Sequence, residues 1–179
     1  LRGFASARDA SLLNNFIDPL VYDNLINTVS DNLSIMDDYY NLKKEVMGLD
    51  ELHIYDIYTP LLVNDETNYS FEEARDIVLN ALSVLGNDYV NNLKKAFDEK
   101  WIDVFPNKGK KGGAYSWGCF TSKPYVLLNF NGKFSDVSTL AHELGHSMHS
   151  YYSILNNSYT YHNYEIFVAE IASQVNEIL

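Results

Sequence analysis

The sequence is poor in cysteine and in basic residues, and it has no long apolar run. Its single cysteine, Cys119, cannot form an internal disulfide, which excludes a disulfide framework. Cys119 follows Trp117-Gly118 in a strand-like run, so it reads as a small buried apolar residue rather than a nucleophile. Lys and Arg number 13 against 24 Asp and Glu, a formal net charge of -11. Nucleic acid is not expected as a partner, because neutralising phosphates takes clustered Lys and Arg. The one basic cluster, Lys108, Lys110 and Lys111, lies in a Gly-rich stretch and reads as a solvated loop. No stretch approaches the ~20 apolar residues of a membrane span, so no membrane partner is expected. The start, Leu1-Arg2-Gly3-Phe4-Ala5, offers neither a basic leader nor an apolar run, and a cytoplasmic location is expected. There is no initiator Met. The last helical pattern runs to Leu179 with neither a Gly cap nor a basic last turn. Both features lead us to expect a piece of a longer chain.

What is present suits a folded domain, or a large part of one. Over 179 residues the chain is 46% hydrophobic and 14% aromatic, enough to bury a core. Asp18-Pro19 predicts a helix start, and apolar residues then recur at Val21, Leu25, Val29, Leu33, Met36 and Tyr40, a helical spacing that runs to Gly48. Residues 51–62 read as an irregular connection. Ser70-Phe71-Glu72-Glu73 is a capping box for a second helix ending near Gly86, and a third is expected from Asp88 to Trp101. Residues 103–112 are a loop. Two β-like runs follow, Ala114 to Phe120 and Tyr125 to Phe130. Ser135-Asp136 is expected to cap a helix that Asn156-Asn157-Ser158 breaks. A last helix begins near Tyr161.

Residues 142–149 read His-Glu-Leu-Gly-His-Ser-Met-His, which contains H-E-x-x-H. On a helix, positions i and i+4 share a face about one turn apart, so two imidazoles can converge on one zinc ion. The Glu at i+1 lies beside that face and can reach a water at the metal. In a chain of this composition the motif arises by chance roughly once in a hundred. A zinc peptidase also needs a third protein ligand and an open position. Glu170 is the candidate, on the next helix among Phe167, Val168, Ala169, Ile171 and Ala172, where a carboxylate is costly to bury unless paired or bound to metal. His142, His146 and Glu170 are therefore the expected ligands of one Zn2+, and Glu143 the catalytic base. His149 shares their side of the helix but sits two turns from His142, and it reads as a supporting or packing residue. Gln174, Glu177 and Asp136 are candidates to accept the far N–H of a ligating histidine. His53 and His162 read as ordinary.

These residues carry a resemblance. Ala141 to Ser150, with Ile166 to Ser173, resembles the oligoendopeptidase F branch of the thimet oligopeptidase family. So do Gly113 to Gly118, Pro124 to Phe130 and Tyr55 to Leu61, so the likeness covers nearly the whole chain. It implies a mostly helical peptidase cleaving short peptides in a deep channel, with zinc on His142, His146 and Glu170 and water activated by Glu143. It also implies N- and C-terminal segments of the same enzyme that are not in these residues, one forming a channel wall and one bearing His and Tyr for the substrate.

The expected fold is mainly α with a small β-sheet, a zincin-like catalytic region, incomplete. Residues 1–112 would be a mostly helical lead-in, and 113–179 the strands and zinc-binding helices. An edge strand is expected to pair with the substrate backbone, with Gly113, Ala114 and Tyr115 as candidates. Two rivals stay open: a metal-free pseudo-enzyme or binding module, and a zinc hydrolase of non-peptide amides.

Overall fold

The computed structural model describes residues 3–61 and 67–179. The chain forms two compact units, one up to Glu66 and one from Thr67. That division lies well before the expected one at 112/113. The reason is packing: Ala74, Val78, Leu93 and Ala96 of the supposed lead-in share one buried core with Leu140, Leu144 and Met148 of the motif helix.

In the first unit, helices α1 (Ala7–Leu13), α2 (Pro19–Asp31) and α3 (Leu33–Val46) follow one another. The Asp18 carboxylate accepts the Leu20 N–H at 2.9 Å and Pro19 opens α2, as the sequence predicts. The single long helix to Gly48 is in fact two. Asn32 leaves helical geometry at φ -113°, ψ 14°, and its amide donates to the Thr28 carbonyl at 2.7 Å. Such side-chain bonds to the local backbone compete with helix continuation. The predicted stripe is also largely exposed. Lys43 is buried, and its ammonium donates to the carbonyls of Ile57 and Thr59, both at 2.6 Å, holding the connection after α3 against that helix. Leu62, the end of that expected connection, lies outside the described residues.

In the second unit, α4 (Phe71–Ala81) starts on the predicted box. The Glu73 N–H donates to Ser70 Oγ at 3.1 Å and the Ser70 N–H returns to Glu73 Oε2 at 2.8 Å. A 3-10 turn continues to Leu85, and α5 spans Asn87–Asp98, stopping before the expected Trp101. Strands β1 (Ile102–Asp103), β2 (Tyr115–Trp117) and β3 (Tyr125–Leu127) form a sheet in the order β1-β3-β2. β3 pairs parallel with β1 (Ile102 opposite Val126) and antiparallel with β2 (Ser116 opposite Val126). Both predicted strands are shorter than their β-like runs, and β1 was not predicted, two residues being too few to show alternation. The motif lies on α6 (Phe134–Asn156), 23 residues and so roughly 35 Å long, and α7 (Ile166–Ile178) packs back against it.

The core lies between α4, α5, the sheet and α6. Leu82, Leu93, Leu140 and Leu144 are fully buried, and Trp101, Val126, Leu128 and Met148 nearly so. Side chains of this kind contribute about 1.5–3 kcal/mol each on burial, which anchors the motif helix on its rear face. Among the described residues, no helix is long and apolar enough to cross a membrane.

Candidate metal centre

His142 and His146 stand one turn apart on the face of α6 that turns away from this core. Their ring centroids are 4.9 Å apart. α7 crosses in front of them and brings in Glu170. Glu170 Oε2 lies 3.4 Å from His142 Nε2 and 3.4 Å from His146 Nε2. Donors ~2.0–2.1 Å from a tetrahedral ion are themselves separated by about 3.3–3.4 Å, so the two edges from Glu170 to the histidines already have the length of those in a zinc site. All three donor atoms lie within 4.8 Å of one another. Two neutral imidazoles and one carboxylate are a donor set zinc accepts, and three protein ligands leave the fourth position free.

The donors are held from behind. The Ser173 hydroxyl is fully buried and donates to Glu170 Oε2 at 2.8 Å. His142 Nδ1 lies 3.1 Å from Glu177 Oε2, and the Ser138 hydroxyl donates to Glu177 Oε1 at 2.9 Å. A carboxylate only accepts, so in the neutral ring this contact places the proton on Nδ1 and leaves the Nε2 lone pair to a metal. These two bonds hold the Glu177 carboxyl below its ordinary value. Burial pushes the His146 ring below the usual histidine range, and the nearby Glu170 charge opposes that shift.

Glu143 lies beside the pair, 6% exposed. Its Oε2 is buried with no hydrogen-bond partner among the described residues. Burial pushes its carboxyl above the ordinary value; His142 opposes this and the Glu170 carboxylate adds to it. A carboxylate raised towards neutrality with one oxygen unengaged is suited to take up and release a proton. His142, Glu143 and His146 line a cleft of about 570 Å³ together with residues 114–119, the end of the α6–α7 loop and the start of α7. Ser116 and Ser147 pin the strand to the helix, their hydroxyls 2.8 Å apart. Ser147 spends its hydrogen on the Glu143 carbonyl at 3.0 Å, so Ser116 is the donor between them. Among the described residues β2 pairs with β3 alone, and its residues line the cleft.

The sequence profile of Peptidase family M3 matches residues 1–179. The chain belongs to that family. It is 46% identical over 179 residues to oligopeptidase PepF of Bacillus subtilis, covering 100% of this chain and 27% of that protein. It is 46% identical over 178 residues to an oligoendopeptidase F homolog of Borreliella burgdorferi, covering 98% of this chain and 30% of that protein. Among solved structures, a candidate peptidase from Chlamydophila abortus superposes with a TM-score of 0.87 at 44% identity, covering 98% of this chain and 29% of that one. The chain thus spans under a third of the length of these relatives.

Other expectations for this M3 chain fare differently. Glu170 is not buried: its side chain is 50% exposed, and Phe167 and Ile171 beside it are also exposed. The apolar company that pointed to it faces outward, so the geometry, not a burial cost, singles it out. Asp136 does not reach a histidine. Its Oδ2 accepts the N–H of Asn131 and of Lys133, both at 2.9 Å, because it sits in the first turn of α6 and is used up there. The helix starts at Phe134, one residue before the predicted cap. Gln174 is exposed and makes no hydrogen bond to a histidine among the described residues. His149 stacks on Tyr164 with centroids 3.6 Å apart, and its buried Nδ1 has no partner among the described residues. Ala114 and Tyr115 line the cleft, whereas the Gly113 carbonyl accepts the Asn129 amide at 2.8 Å on another face. Cys119 is exposed, not buried. It lies beyond β2 in a turn closed by the Ser122 N–H on the Cys119 carbonyl, so strand alternation does not reach it.

Sequence reasoning missed Ser138, Ser173 and Asn176. Asn176 is buried; its amide donates to the Ala141 carbonyl at 3.1 Å and it accepts the Tyr89 hydroxyl at 2.8 Å. A small polar residue at a core-facing position of α7 was the available signal.

Proposed function

We propose that this chain carries the catalytic core of a zinc-dependent endopeptidase acting on short peptides. The observation that carries the reading is the placing of Glu170 Oε2 at 3.4 Å from both histidine Nε2 atoms, with buried Glu143 beside them at the base of a cleft. The M3 relatives named as oligopeptidase and oligoendopeptidase support the substrate class. Zinc, when bound by His142, His146 and Glu170, supplies Lewis acidity towards a carbonyl and acidifies water. The remaining work falls to the protein. The Glu143 carboxylate takes a proton from water in the cleft and hands it to the departing amine nitrogen. The free edge of β2, with Ala114 just before it, hydrogen-bonds an extended peptide backbone and lays its scissile bond across α6. Ser116, tied to Ser147, keeps that edge at a fixed height above Glu143.

The test uses the full-length protein bearing this segment. Metal analysis should find one zinc per chain. An internally quenched peptide should be cleaved, chelation should stop cleavage and added zinc should restore it. A protein without zinc, or one whose zinc supports no peptide cleavage, contradicts the proposal. In the second case the same assay on non-peptide amides decides whether the hydrolase reading survives with another substrate.

A further inference from the structure

α7 presents two carboxylates to α6, two turns apart, and they meet His142 from opposite sides. Glu170 lies on the Nε2 side and Glu177 on the Nδ1 side. Ser138 and His142 are four residues apart on α6, so one carboxylate can span both. Glu177 does so, with Oε1 on the Ser138 hydroxyl and Oε2 on the ring. His146, the other histidine of the pair, has no carboxylate on its far nitrogen among the described residues. The two rings are therefore fixed by different means.

We propose that Glu177, oriented by Ser138, is a positioning residue that sets the tautomer and ring angle of His142 for metal binding; this rests on the zinc reading above. The anchoring is independent of Glu177 itself. The neighbouring Asn176 ties the same turn of α7 to the Ala141 carbonyl, one residue before His142. The Glu177 side chain is 43% exposed, and contacts at such exposure contribute little to folding. Removing it should disturb the ring without unfolding the helix.

The experiment compares wild type, Glu177→Ala, Glu177→Gln and Ser138→Ala in the full-length protein. Three quantities are read: zinc affinity by chelator competition, the tautomer of the neutral His142 ring from 15N shifts of the metal-free protein along a pH titration, and the thermal midpoint. In wild type, neutral His142 should be the Nδ1–H form. Glu177→Ala should mix the tautomers and weaken zinc by about 10–100-fold with the midpoint unchanged. Glu177→Gln keeps an oxygen that accepts the Nδ1–H and should recover most of the affinity. Ser138→Ala should give a smaller loss in the same direction. Wild-type affinity and an unchanged tautomer in Glu177→Ala overturn the inference. If Glu177→Ala unfolds, Ser138→Ala decides: partial tautomer mixing supports the relay, and none overturns it. A wild type that binds no zinc overturns the metal reading instead, and is told apart because the tautomer is measured without metal.

Discussion

Gly145 of α6 and Ser173 of α7 approach so closely that a Cβ on Gly145 would stand 2.6 Å from the Ser173 Cα and 2.7 Å from the Ala172 carbonyl oxygen. Both obstacles are backbone and cannot rotate away. The glycine inside the H-E-L-G-H run is thus what lets α7 lie near enough to bring Glu170 to the histidines. Gly145→Ala gains up to about 1 kcal/mol of helix propensity, but overpacking costs typically ~1–3 kcal/mol, so the net effect should be destabilising. Zinc affinity should fall with it, because α7 carries the third ligand outward. Thermal unfolding and chelator competition on Gly145→Ala check both parts, and unchanged values in both contradict the packing account.

Asn176 is the second tie between these helices. Asn176→Leu keeps the branched outline but removes both bonds: the Ala141 carbonyl falls back on its own helix bond, and the buried Tyr89 hydroxyl is left without its acceptor, a cost of about 1–3 kcal/mol for the stranded group. Burial already pushes the Tyr89 phenol up to about 12, a sign of how poorly that site is solvated. Tyr89→Phe removes one bond and strands only the Asn176 acceptor, so it should cost less. Denaturant unfolding of the two variants should rank them in that order.

His149 should make the metal-free protein acid-sensitive. Burial first, and the His146 charge second, hold its ring below the ordinary histidine value. A histidine with a depressed folded pKa protonates first in the unfolded chain. Stability is therefore full above the unfolded pKa of about 6.5 and is lost as pH falls through it. The raised Glu143 carboxyl acts with the opposite sign, favouring the folded state as pH falls towards the ordinary carboxylate range. It is common to both proteins when wild type is compared with His149→Gln. The variant should lose less stability between pH 7.5 and 5.5, as its side chain does not titrate across that range; equal slopes would remove His149 as the cause.

Much of the site was legible because it obeys local rules. The i, i+4 histidines, the Ser70–Glu73 box and the Asp18-Pro19 start each depend on spacing within one turn. What depends on neighbours was not. The apolar setting that points to Glu170 in the sequence is solvent-facing, and it is the approach of α7 that brings this residue to the histidine pair. Asp136 looked equally well placed but is consumed by its own helix start. Ser173 and Asn176 read as unremarkable polar residues until the close approach at Gly145 shows what they touch. The strand runs overshot because β-propensity extends into residues whose backbone bonds go to turns, as at Cys119.

The role of Glu143 is tested most directly by the turnover of zinc-loaded Glu143→Gln in the full-length protein. Gln preserves the shape and puts no charge in a site where burial already disfavours one, so folding and zinc content should be kept. It cannot accept the water proton, and kcat on an internally quenched peptide should fall at least ~10²-fold. Full zinc occupancy with near wild-type kcat would contradict the account.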